Sequence, residues 1–344
     1  MATAATCQAG AALDGLRGQL DKEGFRALVL TSPGARRYAL RSAPGLADGT
    51  AVLLTTDGTL ASAPGDLATA LTAVLDATGV GDGVVGADAD LPWEVCGRLS
   101  GTGARLRPAA DLVFADLARC APGEVAAFAA AADLAAVGYT AVMDHLRVGM
   151  DVRELSGNVD RSIRRAGGLL GWNDPSDEPG AAGSDLVTVR GHDPATAQLT
   201  ATTPVRYALH PLLAGVAGYA AATALLSKAD GPLRTAGDTC AAATEALLTA
   251  LVPGAPLRDG YTAFARASTA HPAACRIVAL RGGGASLPLL PDSTVIAEPG
   301  MVLGVRTEVA APGRGTVELA ETLVVTPSGT EPQARTPLRL VELY

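Results

Sequence analysis

Lysine is almost absent from this chain: Lys22 and Lys228 are the only two among 344 residues, and arginine supplies nearly all the positive charge. With Ala and Gly so abundant, that bias reads as the imprint of a GC-rich genome, and no function is drawn from it. Basic residues are also outnumbered, 27 against 35 acidic ones, for a net charge of −8. Nucleic acid and anionic membrane surfaces are therefore excluded as expected partners. Aromatic residues make up only 3%, so the cores must be built from Ala, Leu and Val. Cys7, Cys96, Cys120, Cys240 and Cys275 are odd in number, scattered, and form no CxxC pair. They suggest neither a zinc site nor a disulfide framework, and read as reduced, buried thiols.

Other absences narrow the field further. Met1 to Gly10 has neither a basic n-region nor an apolar h-region, so no secretory leader is expected. Apolar stretches such as 213–226 are short and interrupted by glycine, so no transmembrane helix is expected, and a cytoplasmic location follows. Gly282-Gly283-Gly284 is not followed by Lys-Ser/Thr and lacks GxGxxG spacing, which makes it a tight turn and not a phosphate cradle.

Hydrophobic residues at 48% and charged residues at 18% describe a globular chain, long enough for two cores. Leu13, Leu16 and Leu20 stripe a helix over 11–24, a buried strand covers 25–31, and Ser32-Pro33-Gly34 reads as a turn. A strand at 51–56, a helix at 65–77, a strand near 84–86 and a helix at 91–99 continue an α/β alternation over residues 1–118. Ala121-Pro122-Gly123-Glu124 then opens a long helix to about 147, and Asp151 caps another over 152–166. Strands follow from 184, helices at 235–251 and 258–269, and strands again to the end. Helix pair, strands, helix pair, strands is the pattern of an internal duplication.

Several segments then carry a family likeness. Glu298-Pro299-Gly300-Met301-Val302 leads into a strand through Arg306 and Glu308, and Glu318 to Thr326 forms the next one. Ala121-Pro122-Gly123-Glu124-Val125 and Leu146-Arg147-Val148-Gly149-Met150-Asp151-Val152-Arg153-Glu154-Leu155 lie at matching distances upstream, after an opening helix and strand over Leu13 to Tyr38. In this order they resemble the creatinase/prolidase/methionine-aminopeptidase (M24) family. The resemblance implies an α/β N-terminal domain, 1–118, and an α+β pita-bread (creatinase/aminopeptidase-like) C-terminal domain, 119–344. It also implies a homodimer.

Active members of that family hold two metal ions with two Asp, one His and two Glu, because bridging carboxylates keep the ions close enough to activate one water. Aligned through Gly218-Tyr219, the Asp positions carry Pro211 and Ala222, and Tyr207 to Leu226 contains no carboxylate in any register. The ligand His position carries Gly283, and two further family histidines fall near Leu290 and Gln198. The Glu positions carry Arg306 and Ala320. No metal and no other cofactor is expected, and metallopeptidase activity should be absent.

The remaining candidates are few. Glu308 and Glu318 share strand faces with Arg306 and Ala320 and are candidate catalytic carboxylates. His192, beside Asp193, is a candidate general base, although a His in a Gly/Asp/Pro loop is more often a turn residue. Arg306 would either bind a substrate carboxylate or pair with Glu308, Glu318 or Glu321 as a structural ion pair. His210 is another weak base candidate, and Trp172-Asn173-Asp174-Pro175 reads as an exposed rim loop. Three functions follow: a binding or partner subunit without peptidase activity; a metal-independent hydrolase or tailoring enzyme on a small C–N-bonded substrate; or an ordinary Xaa-Pro peptidase, which the carboxylate-free segment argues against. Expected partners are a small-molecule or peptide-like ligand and a second copy of the chain, or an active relative in a heteromer.

Overall fold

A computed structural model describes residues 3–80, 82–88, 91, 96–97, 101, 103–170, 187–189, 198–202, 204–282 and 285–343. The chain divides into two compact units, Met1–Leu117 with Gly283–Leu290, and Ala118–Gly282 with Pro291–Tyr344.

In the first unit, strands β1 (Ala5–Gln8), β2 (Ala27–Leu30), β3 (Ala51–Thr55), β4 (Thr59–Ala63), β5 (Val84–Ala87) and β6 (Arg105–Pro108) form one sheet in the order β1-β4-β3-β2-β5-β6. Strands β2 and β3 are buried along their whole length, which is why they read as continuous apolar runs. Helix Leu67–Thr78 is capped by the Asp66 carboxylate, which accepts from Thr69 N at 3.0 Å, and ends at Gly79 with φ +67. Its Leu71, Val74 and Leu75 pack on Ala27, Val29, Leu53 and Val85. Ser32-Pro33-Gly34 is a helix start and not the expected turn: the Ser32 hydroxyl accepts from Ala35 N and Pro33 occupies the first turn of helix Pro33–Leu40. Strands β1, β4 and β6 and helix Ala110–Ala118 were not signalled by periodicity. The helix expected at 91–99 falls almost wholly outside the described residues.

In the second unit the helix pair Pro122–His145 and Val152–Arg165 comes first, the latter capped by Asp151 as expected. Strands β7 (Leu169–Leu170), β8 (Val187–Val189), β9 (Val205–Leu209), β10 (Pro211–Leu213), β11 (Val216–Ala217) and β12 (Ala220–Leu225) follow. The second helix pair is Gly231–Ala250 and Arg258–Ala267, and then come β13 (Ala273–Arg281), β14 (Ala285–Pro288, in the first unit), β15 (Val302–Ala311), β16 (Gly315–Thr326), β17 (Gly329–Pro332) and β18 (Val341–Glu342). The main sheet of this unit runs β13-β15-β16-β12-β9-β8, with β17 on β16 and β18 parallel to β12. A separate three-stranded sheet has the order β11-β10-β7.

Helix Pro122–His145 has the length and apolar composition to cross a bilayer, which the sequence reading did not note. Its Ala132, Ala135, Ala141 and Val142 are buried with Val159 and Ile163 of the next helix and Leu209, Ala220 and Ala222 of the sheet, as in the core helix of a globular unit.

Candidate functional site

The strand ladder decides which side chains meet. In β15 and β16, Arg306 stands opposite Ala320 and Glu308 opposite Glu318. In β13 and β15, Arg276 stands opposite Arg306 and Ala274 opposite Glu308. Ala221 of β12 pairs with Ala320, and Thr223 pairs with Arg206 of β9. Since cross-strand partners share a face, Arg276, Arg306, Glu308, Glu318 and Arg206 line one side of the sheet. Arg306 Nε lies 3.1 Å from Glu308 Oε1 and 3.1 Å from Glu318 Oε1, while Arg206 Nη1 lies 3.3 Å from Glu318 Oε2. Each Glu318 oxygen thus faces one arginine, and the Glu318 side chain is only 4% exposed.

Strands β12 and β16 share a single ladder pair, and two buried threonines close the rest of the seam. Thr223 Oγ1 accepts from Glu318 N (2.8 Å) and donates to Glu318 O (3.1 Å). Thr322 Oγ1 accepts from Tyr219 N (2.7 Å) and donates to Tyr219 O (2.9 Å). The hydroxyls replace backbone partners that would otherwise be orphaned in a dry interior. They hold Glu318 in register below the arginines.

Beside the ion cluster the face is apolar. Ala221 and Ala320 are buried with Tyr219, Val278, Val302 and Val324, together with Phe128 and Ala131 of the long helix. The Tyr219 ring lies over Gly304, where an added Cβ would come within 3.0 Å of it. His210, also buried, contacts Tyr219 with ring centroids 5.0 Å apart.

Of the five positions aligned with the family's metal ligands, the four among the described residues are not drawn to one place. Arg306 and Ala320 are neighbours. Ala222 pairs with Tyr207 and packs toward the helices, so that Ala221 is the residue beside Ala320. Pro211 pairs with Leu170 in the small sheet, because the chain leaves β9 at Leu209. Gly283 lies outside the described residues, as do His192, Asp193 and the Trp172 loop. Among the described residues no three of His, Cys, Asp and Glu converge on a common point. The residues present do not fit a pair of metal ions: an alanine packed among apolar groups supplies no ligand. A guanidinium 4 Å from a cation opposes it by about 4 kcal/mol per unit charge at an effective dielectric of about 20.

Arg306 takes two of its three anticipated carboxylate partners. The third, Glu321, stands on the other face, opposite Val305, and is buried. Its Oε1 accepts from Thr322 N (2.9 Å) and Ala334 N (2.7 Å), tying the segment after β17 to β16. Burial pushes this carboxyl up from 4.5 to about 7 against the pull of those amides. The folded chain then holds a proton that the unfolded chain releases, so stability falls as pH rises from 4.5 to about 7 and is level above that. Glu321→Gln should be the more stable protein at pH 8, by ~3 kcal/mol, with the difference closing toward pH 4. Urea midpoints at the two pH values test this, and a wild type more stable than the variant at pH 8 would refute it.

Two of the thiols, Cys240 and Cys275, stay chemically quiet. Burial pushes Cys240 and Cys275 up to about 12, so neither is a nucleophile at neutral pH. Arg206, Arg276, Thr223 and Thr322 escaped the sequence reading because only strand register brings them to the cluster.

Comparison with known proteins agrees with this architecture. Residues 126–327 match the sequence model of metallopeptidase family M24. No curated protein matches the chain by sequence. Among solved structures, dipeptidase PepE from Mycobacterium ulcerans is similar at TM-score 0.71 and 15% identity, over 96% of this chain and 97% of that one. Xaa-Pro dipeptidase from Bacillus anthracis is similar at TM-score 0.62 and 17% identity, over 96% and 99%. The N-terminal domain of FACT complex subunit SPT16 from Cicer arietinum (chickpea) is similar at TM-score 0.65 and 14% identity, over 97% and 98%. The fold class implied by the sequence motifs, an α/β unit followed by an α+β pita-bread unit, is thereby shown.

Proposed function

The chain belongs to metallopeptidase family M24, and within that family we propose that it is not a metallopeptidase but a binding or partner subunit built on the peptidase scaffold. One observation carries the reading: Arg306 is ion-paired with Glu308 and Glu318, and the facing Ala320 is packed among apolar side chains. A fixed internal cation stands on the face where the family holds metal charge. A binding role is in keeping with the similarity to a domain of a complex subunit. The expected assembly is a homodimer, with a heteromer containing an active relative as the other arrangement.

Thermal unfolding and peptide cleavage with Mn²⁺, Co²⁺ and Zn²⁺ test the proposal. A site filled at a hundredfold excess over its Kd would stabilise the fold by about 2.7 kcal/mol. We expect no such shift and no hydrolysis of Xaa-Pro peptides; metal-dependent turnover would end this reading.

A second reading is a metal-independent enzyme on a small C–N-bonded substrate. It is favoured by an open depression of about 260 Å³ lined by Ala274, Cys275, Arg276, Arg306 and Glu308, which gives a small molecule access to the charged groups. Substituting Arg306, Glu308, Glu318 and His192 one at a time would locate such chemistry.

A further inference from the structure

Helix Gly231–Ala250 carries Arg234, Gly237, Asp238 and Ala241 at i, i+3, i+4 and i+7, which places them on one face. The segment Arg339–Glu342 lies against that face. Strand β18 runs parallel to β12, pairing Val341 with Ala224, and Leu343 N donates to Leu225 O at 2.8 Å. Leu340 rests on Gly237, where an added Cβ would come within 2.9 Å of Leu340 Cβ. Glu342 Oε1 accepts from Ala229 N (2.7 Å) and from Arg234 Nη2 (3.2 Å), and the same Arg234 nitrogen donates to Ala229 O (3.1 Å). These contacts fix the walls of a depression of about 320 Å³, which falls within the range of small-molecule pockets.

Its four charged side chains divide unequally. Arg234 and Glu342 neutralise each other. Arg339 and Asp238 line the same depression, both are exposed, and neither has an ion pair or hydrogen bond among the described residues. The charge of Arg339 reaches the Tyr139 phenol, which burial keeps protonated and neutral. The place is separate from the Arg306 cluster. Thr244 Oγ1 of the same helix lies 2.7 Å from Thr307 Oγ1. Thr307 follows Arg306 in β15, so the helix covers the opposite face of the sheet.

One cation and one anion left unpaired at a single depression select the ligand by charge. A simple carboxylate that meets Arg339 also meets Asp238, and a simple ammonium that meets Asp238 also meets Arg339, so attraction on one side is offset by repulsion on the other. A molecule bearing both charges is attracted on both sides, its carboxylate by the planar guanidinium fork and its ammonium by Asp238. Ala241, Leu340 and Val341 add apolar wall for an aliphatic side chain. We infer that the depression between helix Gly231–Ala250 and Arg339–Glu342 binds a small zwitterion of the α-amino acid class. This goes beyond the proposed function and shares no residue with the cluster on which that reading rests.

The test is calorimetric titration of the full chain, at neutral pH and constant ionic strength, with three probes: L-valine, N-acetyl-L-valine, which lacks the ammonium, and L-valinamide, which lacks the carboxylate. Valine should bind saturably with a Kd on the order of 1 mM, and each blocked analogue about tenfold more weakly or worse. Arg339→Gln and Asp238→Asn should each weaken valine binding about tenfold, and Arg339→Lys should keep part of the affinity. Melting temperatures without ligand should stay at the wild-type value, since both side chains are exposed. Absence of saturation by about 50 mM, or wild-type affinity in either Arg339→Gln or Asp238→Asn, would overturn the site. An analogue that binds as tightly as valine would overturn the zwitterion assignment. Neither result touches the proposed function, which falls to metal-dependent peptide cleavage, and such cleavage leaves the valine result standing.

Discussion

Glu318→Ala should cost about 3 kcal/mol of unfolding free energy, because removing one partner of a buried ion cluster leaves the others uncompensated. The carboxylate is nearly fully buried, and each of its oxygens faces one of Arg306 and Arg206. Those arginines are 22% and 26% exposed, so part of the penalty is relieved by water and the upper end of the usual range is not reached. A lowered urea midpoint with an unchanged slope is the expected observation. Replacing Arg206, Arg306 and Glu318 together with methionine should recover stability to within about 1 kcal/mol of wild type, since well-packed apolar groups commonly substitute for a buried ion cluster at little cost. A loss below about 1 kcal/mol for Glu318→Ala would mean that the cluster behaves as a screened surface pair.

Gly34→Ala should be as damaging, for a steric reason. A Cβ at Gly34 would lie 1.5 Å from Ser286 O and 2.6 Å from Ser286 C, both backbone atoms that cannot swing aside. Helix Pro33–Leu40 and strand β14 must separate to admit one methyl group. Overpacking of this kind costs 1–3 kcal/mol when side chains can adjust, so with backbone in the way at least about 3 kcal/mol is expected. Chemical denaturation measures the loss, and limited proteolysis should show faster cleavage near residues 285–290. An unchanged midpoint would mean that β14 does not sit on Gly34 in solution.

Much of the scaffold was legible in the chain. Asp151 as a helix cap, the long helix from Pro122, the amphipathic Leu13-Leu16-Leu20 stripe and the buried strand at 27–30 rest on local signals. The EPGMV segment led correctly to paired strands through Arg306 and Glu318. Ser32-Pro33-Gly34 misled because Pro and Gly serve a turn and a helix N-terminus equally well, and a cap is recognised only once the Ser32 hydroxyl meets Ala35 N. Strand β1 carries no apolar periodicity: it is an edge strand, exposed on most of its residues, and only its pairing with β4 defines it.

By itself the sequence determined the family's fold and the loss of carboxylates from 207–226, because both are matters of residue identity at spaced positions. It also gave the expectation that Arg306 and Ala320 occupy the positions of the family's two glutamates. Tertiary structure decided the rest. Register placed Ala221 and not Ala222 beside Ala320, since a shift of one residue in a strand reverses the face. It sent Pro211 to another sheet, set Glu321 on the far side from Arg306, and brought Arg206 and Arg276, 70 positions apart in the chain, onto one charged face. Charge interactions depend on distance in space and on exclusion of water, and neither is written in sequence separation.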